Sequence, residues 1–71
     1  MADAAENRDL KTVESLGAEI RALRKVKGMT LIEFAEKTGK SIGYLSQVER
    51  DITKPSAGVL QEISTALGVE I

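Results

Sequence analysis

Apolar side chains recur at intervals of three and four along this chain, in separate runs punctuated by glycine and hydroxyl residues, which is the period of one helical face. Val13, Leu16, Ile20 and Leu23 form the first run. It predicts a helix that opens at Thr12 or Ser15, either a suitable N-cap, and stops at Gly28. Arg21, Arg24, Lys25 and Lys27 crowd its C-terminal half, where cations suit the helix dipole. Thr30 opens a second helix, and Glu33 three residues on completes a capping box. Phe34 and the small Ala35 face inward there, Glu33 and Lys37 pair at i, i+4 outside, and Gly39 ends the element. Ser41 caps a third helix whose inward residues are Leu45 and Val48. Pro55 and Ser56 start a fourth, with Val59, Leu60, Ile63 and Leu67 apolar and Gly68 closing it. Val69-Glu70-Ile71 resembles the opening of a further element. No internal repeat, low-complexity tract or strand-like alternation is present, so the fold class is all-α.

The stretch Thr30–Arg50 carries the most information. A left-handed residue at Gly39 reverses the chain within three or four residues, the spacing that sets two helices at the helix-turn-helix angle. On the third helix, Ile42, Gly43, Ser46, Gln47 and Arg50 fall at i, i+1, i+4, i+5 and i+8. They share the face opposite Leu45 and Val48. A helix with one apolar face and one face of small or polar residues can dock on its own domain and on a double helix at once.

Composition narrows the function. Seventy-one residues make one small domain, with residues 1–14 an acidic flexible tail and 15–71 the folded part. The chain has neither Cys nor His, which removes the usual structural zinc sites and any Cys–His or Ser–His catalytic pair. No enzyme, metal or cofactor is expected. No apolar run approaches a membrane span and no secretory h-region opens the chain, so a soluble, cytoplasmic protein is expected. The formal net charge of −1 counts against nucleic acid. Its distribution weakens the objection: residues 16–54 hold eight Lys or Arg against five acids, a net of +3, and both flanks are acidic.

The segment LGAEIRALRKVKGMTLIEFAEKTGKSIGYLSQVERDITKPSAGVLQEISTALGV resembles the lambda-repressor-like (XRE/Cro-type) helix-turn-helix family. Ala35 stands where the two helices cross, Gly39 is the turn glycine, and LSQVER with Pro55-Ser56 and Leu67-Gly68-Val69 is typical. The SxGYLSQxE pattern is most like members whose DNA-binding domain precedes a cupin-type sensor. The resemblance implies a compact bundle of four to five helices, whose recognition helix, about 41–50, enters the major groove of double-stranded DNA. It implies a transcriptional regulator, a homodimer on a palindromic operator in the full-length protein, and an effector acting only through a further domain. The present chain alone is expected to be monomeric. Departures from the pattern are Leu31 where a phosphate-reaching Gln is frequent, Lys40 for an apolar residue, Asp51 for Gly, and Ala57-Gly58 for larger residues.

Gln47 is the first candidate for base contact, since Gln can bond adenine N6 and N7 together. Ile42, Gly43 and Ser46 complete the base-contacting set: Ile42 suits a thymine methyl, and Gly43 permits close backbone approach. Thr30, Lys40, Ser41, Tyr44, Arg50 and Lys54 form the phosphate-contacting set, which positions without reading sequence. Glu49, by the same resemblance, pairs with Arg24 and locks the recognition helix to the first helix. The alternative function is an antitoxin or protein-interaction module built on the same fold. Single-stranded nucleic acid is not expected, because Phe34 and Tyr44 offer no stacking platform.

Overall fold

Each apolar run winds into a helix whose N-terminus is closed by the hydroxyl residue just before it. The computed structural model describes residues 15–71; the tail of residues 1–14, with Thr12 and Val13, lies outside the described residues. The described helices are α1 (Leu16–Val26), α2 (Leu31–Thr38), α3 (Ile42–Glu49) and α4 (Ala57–Leu67). Ser15, Thr30, Ser41 and Ser56 sit in extended backbone. Each accepts, through its side-chain oxygen, the N–H three residues on. Such caps contribute about 1 kcal/mol each. The capping box at Thr30 is complete, since Glu33 Oε1 also accepts the Thr30 N–H at 2.9 Å. That contact overturns the expected Glu33–Lys37 pair. The carboxylate turns back to the helix start, and among the described residues the ion pairs are Arg24–Glu49 and Lys40–Glu62.

Six residues form the core: Ile20, Phe34, Leu45, Val48, Ile63 and Leu67, one or two from each helix. Leu16, Leu23, Met29, Leu31, Ala35, Tyr44, Val59, Leu60, Ala66 and Val69 pack around them, half-buried. Leu31, which departs from the family pattern, therefore serves the margin of the core. Val69 does the same beyond Gly68, and no helix follows Leu67 among the described residues. With burial stabilising each large apolar side chain by about 1.5–3 kcal/mol, these few residues dominate the folding energy of a small domain. α3 lies against both α1 and α2, and α2 against α4. The helix carrying the candidate contacts is thus wedged at the centre of the bundle by its inner face. No helix among the described residues is long and apolar enough to cross a membrane.

Candidate nucleic-acid interface

The turn between α2 and α3 takes only Gly39, Lys40 and Ser41. Gly39 adopts φ 72°, ψ 16°, and its N–H donates to Ala35 O at 2.8 Å, which closes α2. A side chain would strain that left-handed backbone, so the tight reversal depends on glycine. Ser41 then caps α3 by accepting the Tyr44 N–H at 3.0 Å. Both Thr30 and Ser41 keep a hydroxyl hydrogen to donate outward while their oxygens serve as caps.

Residues on α3 divide sharply by burial. Leu45, Val48 and Glu49 are buried; Ile42, Gly43, Gln47 and, at the C-cap, Arg50 are exposed. Ser46 is half-buried, so it lies at the border of the outward face that the spacing predicts for it. Tyr44 is half-buried as well and packs its ring on the core. No acidic residue stands in the first turn of α3. The N-terminal amides of Ile42 and Gly43 are left to face solvent or a partner, as in any helix start. Arg50 lies back along its own helix, its Nε donating to Ser46 O at 3.4 Å. Lys54 is exposed in the loop beyond. Lys40 is engaged elsewhere: its Nζ lies 3.0 Å from Glu62 Oε1 on α4, both side chains partly exposed. Its charge replaces the apolar residue frequent at that position by bridging the turn to α4. Exposed pairs of this kind add at most about 1 kcal/mol.

The C-terminal end of α3 is held to α1 by three contacts. Glu49 receives a two-pronged contact from Arg24 of α1, Nε to Oε2 at 2.7 Å and Nη2 to Oε1 at 3.1 Å. The third Arg24 nitrogen donates to Met29 O at 2.7 Å, so the buried guanidinium also pins the link between α1 and α2. Asp51 supplies the second hold. It stands at φ 61°, and α3 ends through it by two bonds, Asp51 N–H to Val48 O at 3.1 Å and Ile52 N–H to Gln47 O at 2.9 Å. Its carboxylate Oδ1 accepts the Gly17 N–H of α1 at 3.1 Å. The third hold is the fit of Gly17 itself. A Cβ there would stand 2.3 Å from Val48 O and 2.8 Å from Glu49 O, so only glycine lets the two helices meet this closely.

Sequence reasoning names Asp51 only as a replacement for glycine and passes over Gly17 and Glu62. The signal for Gly17 was available: a glycine inside a helical pattern costs stability and points to close packing. Nothing in the linear pattern pairs position 17 with 51 or 40 with 62. Among the described residues, no group of three or more metal-ligating side chains gathers.

Residues 20–71 match the family described as Helix-turn-helix. The immunity repressor protein of Bacillus phage phi105 is 37% identical over 57 residues, which cover 80% of this chain and 40% of the repressor. The HTH-type transcriptional regulator SinR of Bacillus subtilis is 42% identical over 57 residues, covering 79% of this chain and 51% of SinR. The chain therefore spans about half the length, or less, of these relatives. A crystal structure of the master regulator for biofilm formation SinR in complex with DNA matches with a TM-score of 0.74 at 40% identity. That match covers 79% of this chain and 90% of the other. With the family matched over most of its length and the four-helix fold shared, the chain belongs to the lambda-repressor-like (XRE/Cro-type) helix-turn-helix family.

Proposed function

We propose that this chain is the sequence-specific DNA-binding domain of a transcriptional regulator, with α3 seated in the major groove of a double helix. The observation that carries this reading is the division of α3. Leu45, Val48 and Glu49 fix one side to the scaffold, and Ile42, Gly43 and Gln47 on the other side are exposed and carry no acid. The relative whose structure contains DNA, 40% identical, supports it. Gln47 reads a base edge, with Ile42 against a thymine methyl, Gly43 giving access to the backbone, and Ser46 contributing from the border of the face. Thr30 and Ser41 donate hydroxyl hydrogens to phosphates. Tyr44, Arg50 and Lys54 flank them, and Lys40 joins once it leaves Glu62. The helix acts by binding and not by catalysis, and works in the cytoplasm, where its DNA is.

One such domain reads only a few base pairs. A homodimer of the whole protein on a palindromic operator supplies a longer site, and any small-molecule control belongs to a further domain of the cupin-linked kind. The competing reading, an antitoxin or protein-docking module, draws on the near-neutral net charge and on the uncharged outward face of α3, Ile42, Gly43 and Ser46.

Selection of preferred duplexes from a random pool, followed by affinity measurement across a salt series, separates the two. DNA binding through phosphates weakens in proportion to the contacts made, and Arg50→Ala should flatten the slope of log affinity against log salt by about one contact on every sequence. A pool that yields no preferred duplex, with affinity insensitive to salt, rejects the DNA-binding reading.

A further inference from the structure

We infer that Asp51 is a positioning residue for DNA reading, and that it acts through Gly17 to set where the recognition helix sits along its own axis. The inference rests on the function proposed above. In the structure, Asp51 makes two connections from one residue. Its left-handed backbone stops α3 by the pair of bonds to Val48 O and, through Ile52, to Gln47 O. Its Oδ1 then caps a second helix by accepting the Gly17 N–H at the start of α1.

That amide belongs to the first turn of α1, where no carbonyl within the helix can serve it. Ser15 Oγ is already engaged with the Ala18 N–H. A carboxylate at a helix N-terminus also meets the positive end of the dipole. The missing side chain at Gly17 brings the carbonyl end of α3 against the amide end of α1, and Asp51 bridges the junction. Gln47, whose side chain is the foremost base reader, has its carbonyl inside the same turn, accepting from Ile52 N–H at 2.9 Å and Thr53 N–H at 3.4 Å. Tilting or sliding this end of α3 therefore displaces Gln47 directly. Arg24–Glu49 holds the helix laterally; the Asp51–Gly17 contact fixes its end.

Glycine at position 51 would relax the backbone and discard the cap, whereas asparagine adopts the left-handed region tolerably and keeps an oxygen acceptor. The two variants carry the same charge, so a comparison between them is free of the general electrostatic effect of losing a carboxylate beside DNA. The test measures, on the full chain, the ratio of affinities for a selected duplex and a scrambled one in wild type, Asp51→Asn and Asp51→Gly, with hydrogen-exchange protection of the Gly17 amide as a second readout. Asp51→Asn should hold the ratio within about twofold of wild type and keep the amide protected. Asp51→Gly should lower the ratio by about tenfold and expose the amide, even where its melting temperature equals or exceeds that of wild type. A wild type that prefers its selected duplex, with Asp51→Gly sharing that ratio, overturns this inference alone. A wild type with no preference overturns the DNA-reading function and this inference with it.

Discussion

The two ends of α3 are built on opposite plans. The C-terminal end, from Val48 to Asp51, is tied to residues distant in the chain: Arg24, Gly17 and, through Arg24, the Met29 carbonyl. The N-terminal end, from Ser41 to Tyr44, has only local hydrogen bonds, those of the Ser41 cap and the Gly39 turn, with the Tyr44 ring packed on the core. Ile42 and Gly43 lie exposed there, and a Cβ on Gly43 would meet nothing within 4 Å. Long-range hydrogen bonds thus fix one end of the helix, and local ones suffice at the other. A helix anchored in this way can present its first turns to a partner without rearranging its scaffold, which limits the ordering cost of binding.

The largest effect should come from breaking the anchored end. Glu49→Ala leaves the Arg24 guanidinium buried without its partner, and removal of one member of such a pair costs about 3–5 kcal/mol. In so small a domain that loss is a large part of the total stability. Thermal melting should show a steep drop or no cooperative transition. The paired replacement Arg24→Met with Glu49→Leu should recover most of it, less the hydrogen bond to Met29 O. Glu49→Ala melting like wild type would show that the anchored end does not depend on this pair.

The same contrast explains what could be read from the linear chain. The four helices, their four hydroxyl caps and the inward positions Phe34, Leu45, Val48, Ile63 and Leu67 follow from periodicity and local hydrogen bonding. Each of those signals lies within about one helical turn. So does the whole N-terminal end of α3, which is why Ile42 and Gly43 could be placed on an outer face. The anchored end is different. The Arg24–Glu49 contact was implied by family likeness and by no local pattern. Asp51 on Gly17 and Lys40 on Glu62 join residues whose separation in the chain carries no periodic mark. Ser46 shows the same limit on a smaller scale, because its helical position alone puts it outside while neighbouring packing draws it half inside.

At the exposed face, Gln47→Ala should leave folding intact, since the side chain is solvent-facing, and should weaken binding to the preferred duplex by about 1–3 kcal/mol. The measurement is competitive binding against duplexes altered one base pair at a time. Preference should relax at one position and stay unchanged elsewhere. An equal loss on scrambled DNA would mean that Gln47 reads no base.

Gly43→Ala sharpens the comparison most finely, because its two consequences should have opposite signs. The residue lies in the first turn of α3 with space around it, and its φ is not in the left-handed region. Alanine there should stabilise the fold by about 0.5–1 kcal/mol by reducing the entropy of the unfolded chain. Nothing inside the domain explains why this position lacks a side chain. If close approach to DNA is the reason, the added methyl must crowd the groove and weaken binding by about 1 kcal/mol, the low end of what overpacking costs at a close contact. A calorimetric melt and a binding titration on one sample read both signs. At Gly17, in contrast, the protein's own carbonyls occupy the space a methyl would need, so alanine there should destabilise the fold before any DNA is added. Should Gly43→Ala be more stable and bind equally well, this end of the helix does not approach DNA closely enough for its missing side chain to matter.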